Sequence, residues 1–403
     1  MARTDFLIIG AGIVGLTIAR ELKSKHKAAS ILVLEKEAQP GLHSSGRNSG
    51  VLHSGIYYPP DSLKAKVCRQ GSIEMAEYHE RHGLHLDRRG KVLIATREED
   101  ASQLKLLADR AKQNGIHFEP LDEQALQEIE PEARSACGTA LLVPATAVGS
   151  PADVMQVLVK EIVEQGIVLQ YKAVISHTDV QAKRVVLRNG DIVDYGHAIN
   201  AAGLHADSVA HMFGVGERYN LLPFKGIYWK LDPAAGIKIN HLIYPVPDLR
   251  VPFLGVHTTT TTDGSIYLGP TALPAWGREN YCGWQGIESS EFVRIVGHLI
   301  RQTWHDQDGF RRLAWQEGRR YFKPWFVQAA QAILPRLRAE HLLPIDKAGI
   351  RAQMLDKQTG KLVTDFVVEQ GNHSTHVLNA ISPAWTSAFP FARYVCNNFI
   401  ERN

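Results

Sequence analysis

DFLIIGAGIVGLTIARELKSKHKAASILVLE, residues 5–35, decides the fold. The apolar run 6–9 has the length and composition of a buried strand. Gly10, Gly12 and Gly15 follow in GxGxxG spacing, and an apolar-periodic stretch, 13–22, continues as a helix. A second apolar run, 31–34, ends on the acid Glu35. Each part has a task in holding a dinucleotide: Gly10 permits a tight turn, Gly12 lets backbone approach a pyrophosphate, and Gly15 lets helix and strand pack closely. The helix start offers N–H groups and partial positive charge to the phosphates. Glu35, at the end of the second strand, can accept hydrogen bonds from a ribose, and an acid there argues against a 2′-phosphate. The motif leaves FAD and NAD both open.

Immediately downstream lies PGLHSSGRNSG, residues 40–50, small, polar and glycine-rich. Such a segment is either a plain loop or backbone that lies against a ligand. VLHSGIYYPP follows and places His53 behind apolar residues. A hydrogen-bonded core histidine and a functional one are both open there, and its place behind a cofactor motif favours the second.

At 403 residues the chain has room for two domains, or one with a large insertion. A formal net charge of +3 is too small to suggest a nucleic acid partner. Cys68, Cys137, Cys282 and Cys396 are scattered without a CxxC pair, so neither a zinc site nor a disulfide framework is expected. A reducing cytoplasm is the simplest compartment. The dinucleotide strand begins so close to Met1 that no signal peptide is expected, and no apolar stretch reaches the roughly 20 residues of a membrane span.

Helices are expected over 62–82 (Ser62 as N-cap), 98–114, 122–129 and 151–165, with most of 289–343 and finally 385–400. Strands are expected at 90–96, 141–144, 168–175, 184–187, 192–195 and 197–202, with Asn189-Gly190 as a hairpin turn. Residues 222–269 read as one antiparallel sheet: PFKGIYWKL, HLIYPVP, FLGVHTTT and SIYLGP. The order suggests an α/β nucleotide domain interrupted twice by sheet-bearing insertions. The expected division is 1–82, 141–218 and 344–403 for the nucleotide domain, with 83–140 and 219–343 for a substrate domain.

Several motifs in one order resemble a known group: HSSGRNSGVLHSGIYY from His43, NAAGLHAD from Asn200, PFKGIYW from Pro223, HLIYPVPD from His241, PFLGVH from Pro252, GIRAQ from Gly349 and NAISPAWTSA from Asn379. The chain is similar to the D-amino-acid oxidase superfamily, and within it most resembles the L-2-hydroxyglutarate dehydrogenases. The resemblance implies a Rossmann-like FAD-binding domain with an interleaved antiparallel-sheet substrate domain. It also implies FAD as cofactor and oxidation of a small dicarboxylate 2-hydroxy acid to 2-oxoglutarate, with quinone or oxygen as the electron acceptor. The wider superfamily has a glycine-rich turn near its C-terminus; here it reads Asn-Ala-Ile-Ser-Pro.

By the same resemblance, Gly10, Gly12 and Gly15 meet the pyrophosphate and Glu35, with Lys36 beside it, the adenosine ribose. Ser44, Ser45, Arg47, Asn48 and Gly50 line the loop, Val174 packs near the adenine, Ala202 and Gly203 let backbone pass close by, and Ser382, Pro383 and Ser387 aim a helix start at the flavin. Oxidation of an alcohol needs a base for the hydroxyl proton, for which His53 is the first candidate and His257 the second. It also needs cations or donors on the carboxylates, for which Arg351, Lys225 and Tyr244 are the candidates. Lys64, Arg47 and Asn379 are weaker ones. For Arg351 and Lys225 the competing reading is a solvated or ion-paired surface charge.

Two other functions stand beside this one: an FAD-dependent amine or amino-acid oxidase of the sarcosine oxidase type, and a flavin-binding module without turnover. Residues 304–326 hold Trp304, Phe310, Arg311, Arg312, Trp315, Arg319, Arg320, Tyr321, Phe322, Lys323, Trp325 and Phe326. Arginine with tryptophan suits peripheral contact with an anionic lipid surface, here the inner face of the cell membrane. Helices packed over the substrate domain with a solvated basic face are the alternative. Gly318 and Pro324 argue against one long helix.

Overall fold

The computed structural model describes residues 2–249, 253–306 and 309–400; Pro252, the first residue of one motif above, lies outside them. The chain forms two compact units. Unit 1 comprises 1–48, 151–223 and 351–403, and unit 2 comprises 49–150 and 224–350.

In unit 1 the strand Ala2–Ile9 is central, flanked in parallel by Ile31–Leu34 and Ile192–Asn200. Val168–Gln170 extends the sheet beyond Ile31–Leu34. All four residues of Ile31–Leu34 are buried, as expected of a parallel strand covered on both faces. The helix Ile13–Lys25 buries Ile13, Leu16, Ile18, Ala19 and Leu22. Ile192–Asn200 is one strand where the sequence suggested two. Its first residues pair antiparallel with Arg184–Leu187, across the Asn189-Gly190 turn, and its last three pair parallel with Ser374–Val377. Gly196 makes the continuity possible, since a Cβ there would sit 2.6 Å from the Asp5 carbonyl oxygen. The expected strand over 168–175 is instead two, Val168–Gln170 and Ile175–Asp179, separated by a turn in which Lys172 has φ 55°.

Unit 2 holds an antiparallel sheet in which Tyr219–Leu231 pairs with Ile266–Gly269 and Leu273–Pro274, and Ile266–Gly269 with His257–Thr260. One element expected in this sheet is elsewhere. Leu242–Pro245 runs parallel to Lys91–Ile94 in a second sheet completed by Thr139–Val143 and Glu119–Asp122. Alternating apolar residues mark a strand but do not name its partner.

Residues 49–82 and 141–150, expected with the nucleotide domain, cluster in unit 2. So do 344–350, whereas 219–223 belong to unit 1. The reason for the first two is local. Val51–Leu52, Leu86–Asp87 and Ala147–Gly149 make one small sheet. The helix Leu63–Arg81 is held against it, with the His79 ring 2.2 Å from where a Cβ on Gly149 would sit. Ser62 caps that helix, its hydroxyl accepting the Ala65 N–H at 3.1 Å.

Among the described residues of 289–343 are the α-helices Ser289–His305, Phe310–Arg319 and Lys323–Gln331. The C-terminal helix is shorter than expected: Ala388–Val395, followed by a π turn, Cys396–Ile400.

Candidate nucleotide clamp and active-site cluster

The clamp in unit 1 is built from backbone. Gly10 has φ +107°, and a Cβ on it would meet the Ala201 carbonyl oxygen at 2.6 Å and Ala202 Cα at 3.1 Å. The turn after Ile9 is therefore wedged against the Ala201–Ala202 backbone, which brings Ala202 and Gly203 (φ +54°) beside the glycine motif. A Cβ on Gly15 would sit 2.0 Å from the Gly10 carbonyl oxygen, so helix and turn touch with no room for a side chain. The helix Ile13–Lys25 starts at Gly12, which supplies no side-chain cap, and its first turn holds no acid. An anion would complement that start.

Glu35 is buried at the end of its strand. One carboxylate oxygen accepts the Ala11 N–H at 2.9 Å and the other the Glu37 N–H at 3.0 Å. A carboxylate has about four acceptor positions, so capacity remains for ribose hydroxyls. Val174 is close in the chain fold: the Ala173 N–H donates to the Glu35 carbonyl at 2.8 Å, and the Val174 carbonyl accepts the Arg188 N–H at 2.8 Å.

The polar loop folds on itself. The Ser45 hydroxyl accepts the Ile13 N–H at 2.9 Å and lies 2.9 Å from where a Cβ on Gly12 would be. Ser45 thus sits at the helix start itself. Asn48 donates to the Ser44 and Ser45 carbonyls at 3.2 and 2.8 Å, and Arg47 to the Leu42 carbonyl at 2.9 Å. Lys36 pairs with Glu37, which also meets His43 at 3.0 Å. Gly50 (φ +75°) falls in unit 2 and accepts the Gly149 N–H at 3.0 Å.

At the other end of unit 1, the Pro383 carbonyl accepts the Ser387 N–H at 2.9 Å. Ser387 is the N-cap of Ala388–Val395, yet its hydroxyl caps nothing. That oxygen is fully buried and has no hydrogen-bond partner. An orphaned hydroxyl at a helix start fits a ligand acceptor. The glycine turn, the helix start that follows it, Glu35 and Ser387 together fit a flavin dinucleotide.

Arg351 is half-buried between the buried Ile350 and Ala352 on the strand Leu342–Asp356. Two residues on, Gln353 is fully buried with an unpartnered side-chain oxygen, while its nitrogen donates to the Met354 and Val363 carbonyls at 3.2 and 2.6 Å. Sequence reasoning passed over Gln353; a polar residue amid IRAQML was the available signal. Asn379, a weaker candidate for a carboxylate, is engaged with backbone. Its oxygen accepts the Met354 N–H at 3.0 Å, and its nitrogen donates to the Val363 and Asp365 carbonyls at 3.1 and 2.6 Å. That amide braces strand and loop.

Unit 2 gathers both candidate histidines. His53 follows the strand Val51–Leu52, and its carbonyl accepts the Cys68 thiol at 3.2 Å. Lys91, fully buried at the start of Lys91–Ile94, donates to the Tyr57 hydroxyl at 3.3 Å. Its ammonium lies 4.6 Å from the centre of the Tyr57 ring and 5.1 Å from that of Tyr244. Tyr244 in turn stacks on the His257 imidazole, with centroids 3.9 Å apart and planes 23° apart. His257 Nδ1 meets the Gly255 carbonyl at 2.9 Å. A carbonyl only accepts, so Nδ1 carries the proton and Nε2 is the basic nitrogen of the neutral ring.

Burial pushes the Tyr244 phenol well above its ordinary value, so it stays protonated at any ordinary pH. Burial lowers the Lys91 ammonium to about 7, and among the described residues the charge acting on it is that of Cys68, not of a carboxylate. Lys225 is half-buried, and its ammonium donates to the neutral Asn280 oxygen at 3.2 Å; desolvation lowers its pKa. Lys64 is buried, its ammonium 5.6 Å from the Tyr58 ring centre. Tyr57, Cys68 and Lys91 escaped the sequence reading, because a lysine at the head of GKVLIAT looks like a solvated strand end.

Comparison with known proteins agrees with both halves. The family model for FAD dependent oxidoreductases matches residues 5–397. L-2-hydroxyglutarate dehydrogenase of Escherichia coli K12 is 35% identical over 394 residues, covering 97% of this chain and 92% of that protein. The mitochondrial L-2-hydroxyglutarate dehydrogenase of Homo sapiens is 33% identical, covering 99% and 89%. Among solved structures, L-alpha-glycerophosphate oxidase from Mycoplasma pneumoniae superposes with TM-score 0.77 at 20% identity, covering 98% of this chain and 94% of that one. Glycine oxidase from Geobacillus kaustophilus gives 0.71 at 16%, covering 100% and 96%. These two carry the fold: an α/β dinucleotide-binding fold with an antiparallel substrate-domain sheet. FAD is the cofactor that this fold, the family model and the clamp have in common. The chain belongs to the L-2-hydroxyglutarate dehydrogenase family of FAD-dependent oxidoreductases.

Proposed function

We propose that the chain oxidises L-2-hydroxyglutarate to 2-oxoglutarate. FAD, when bound, supplies the acceptor for the hydride that leaves the substrate's C2. The chain's own residues supply the rest. His53 or His257 takes the hydroxyl proton, and the neutral tautomer assigned to His257 has its basic position at Nε2. Arg351 and Lys225 grip carboxylates, Arg351 through two parallel N–H bonds and Lys225 as a point charge.

The observation that carries this reading is Lys225, a cation half-removed from water whose described hydrogen-bond partner is a neutral amide. A dianionic substrate supplies the missing countercharge. The test is anaerobic addition of L-2-hydroxyglutarate to the FAD-loaded protein. Bleaching of the flavin absorbance is expected; no bleaching overturns the reading, and bleaching by an amine or amino acid instead favours the sarcosine-oxidase-type alternative. His53→Asn and His257→Asn, compared for the rate of bleaching, assign the base.

We further infer that the electrons pass to a quinone at a membrane surface that the protein touches peripherally. Among the described residues no helix is long and apolar enough to cross a membrane. What supports surface contact is the helix Ser289–His305. Its buried residues are Ile295 and Gln302, while Val293, Ile300 and Trp304 are 69%, 63% and 82% exposed, and nearby Trp284 is 85% exposed. An apolar groove of about 950 Å³ runs between Trp276, Trp284, Phe292, Leu299 and Trp304.

The arginines contribute less than the sequence suggested. Arg311 pairs with Asp306, Arg320 with Glu317, and Arg319 lies against the Trp325 ring at 4.4 Å. Tryptophan at a lipid interface, rather than bulk positive charge, is therefore the stronger support. Co-sedimentation with phosphatidylglycerol–phosphatidylethanolamine vesicles tests this. Partitioning should fall in a Trp284→Ser/Ile300→Ser/Trp304→Ser variant, and equal partitioning with wild type refutes it.

A further inference from the structure

The Lys91 column makes a demand that neither the fold nor the family resemblance explains. Removing an ammonium from water is expensive, and proteins normally offset the cost with a carboxylate. Lys91 has zero exposure and sits in a paired strand among Leu93, Tyr244, Leu242 and Val143, all buried. The groups that act on it are two tyrosines and a thiol: Tyr57 by hydrogen bond and ring face, Tyr244 by ring face and Cys68 electrostatically. Around those tyrosines the further titratable neighbours are Tyr58 and Tyr228. None of them is a carboxylate. A methionine or leucine would fill the same space at lower cost, so the charge itself has a use.

That use is legible in what the charge touches. Tyr244 carries the ammonium at 5.1 Å from its centroid and the His257 imidazole at 3.9 Å from the same point. These two distances put the ammonium no farther than about 9 Å from the imidazole centre, across aromatic carbon and with little water between. The Tyr244 ring thus meets both the cation and the stacked imidazole.

We propose that Lys91 is a positioning residue for His257: through Tyr244 it fixes the plane of the imidazole, and its positive charge disfavours protonation of that imidazole. A neutral imidazole with Nδ1 tied to the Gly255 carbonyl presents Nε2 as a base. Lys91 does not touch substrate; it acts through the ring. Its burial-lowered pKa of about 7 means that the charge is present throughout the acidic range in which an imidazole would otherwise protonate. The proposal deepens the reading of His257 as a candidate base and rests on it for its catalytic consequence, though not for its structural content.

The test is the titration of the His257 imidazole by NMR in histidine-labelled, FAD-loaded protein, wild type against Lys91→Met. A unit charge at about 9 Å in an effective dielectric near 20 shifts an imidazole by roughly one pH unit. The His257 titration should therefore move up by about one unit in Lys91→Met and stay near wild type in Lys91→Arg, which keeps the charge. The acid limb of the kcat/KM profile should move with it.

An unshifted imidazole in a folded Lys91→Met protein overturns the proposal. Should Lys91→Met fail to fold, Tyr244→Leu removes the shared ring instead. The His257 ring resonances must then change, because the face that fixes its plane is gone; an unchanged imidazole overturns the proposal equally. The catalytic reading fails separately: full kcat in His257→Asn removes His257 as the base and leaves the imidazole titration to decide the part played by Lys91.

Discussion

Replacing Gly15 with alanine should damage the protein in a way that replacing Gly12 does not. A Cβ at position 15 would sit 2.0 Å from the Gly10 carbonyl oxygen and 3.3 Å from Ile8 Cγ2. Ordinary contact for such a carbon begins at 3.4 Å, and the atom it meets is backbone that cannot rotate away. Helix and strand must part by more than about 1 Å. Overpacking of this kind costs typically about 1–3 kcal/mol, and a backbone obstacle belongs at the upper end. A loss of about 3 kcal/mol lowers a melting midpoint by roughly 6 °C or more for a unit of this size. The same displacement disturbs the turn that cradles the pyrophosphate.

At Gly12, by contrast, the added carbon meets only the Ser45 hydroxyl, at 2.9 Å, and a serine can change rotamer at the cost of its bond from the Ile13 N–H, about 1 kcal/mol. Thermal melts of the apo-protein and fluorescence titration with FAD separate the cases. Gly15→Ala should melt several degrees lower and bind FAD at least tenfold more weakly. Gly12→Ala should melt closer to wild type and lose chiefly FAD affinity, because its side chain occupies the approach to the phosphates. A Gly15→Ala protein that melts within a degree of wild type and keeps its flavin refutes the close-contact argument.

Ser387→Ala should leave apo stability nearly unchanged, since its hydroxyl has no partner among the described residues, and weaken FAD by about fivefold, the worth of about one hydrogen bond; an unchanged FAD titration removes Ser387 from the cofactor contacts. Burial lowers the His197 and His376 imidazoles to about 4, from an ordinary 6.5. The unfolded chain then binds more protons between those values, so stability should fall as pH drops from 6.5 toward 4, and His376→Gln should flatten that slope in acid-denaturation curves. The Arg218 guanidinium beside Asp356 holds its carboxyl well below the usual range. Its stabilisation is present above about pH 4 and is lost progressively as pH falls further, so Asp356→Asn should lower the urea midpoint at pH 7, with the gap to wild type narrowing as pH drops below about 4.

The local motifs carried much of this protein. Glycine spacing, the apolar runs at 6–9 and 31–34, and the acid at 35 specify a strand–turn–helix–strand unit because each constraint acts over a few residues: a positive φ at Gly10, a missing Cβ at Gly15, a buried face on the helix. Ser62 could be read as a cap, and Asn189-Gly190 as a turn, for the same reason.

What the sequence could not decide is partnership across distance. Leu242–Pro245 has the pattern of a strand that could join Tyr219–Leu231 or Lys91–Ile94, and only tertiary packing sends it to the latter. Residues 49–82 look like a continuation of the nucleotide domain until Ala147–Gly149 pairs with Val51–Leu52 and Leu86–Asp87. The three backbone bonds of Asn379 were equally illegible, because the groups that an amide meets arrive from strand and loop together.

Lys91 shows the limit most clearly. Its neighbours in sequence are a glycine and an apolar strand, while Tyr57, Cys68, Tyr244 and His257 arrive from well separated parts of the chain. Residue type and spacing determine what a segment of this protein can become. Burial, charge compensation and proton affinity are set by groups that only folding brings within a few ångströms, so those belonged to the tertiary structure alone.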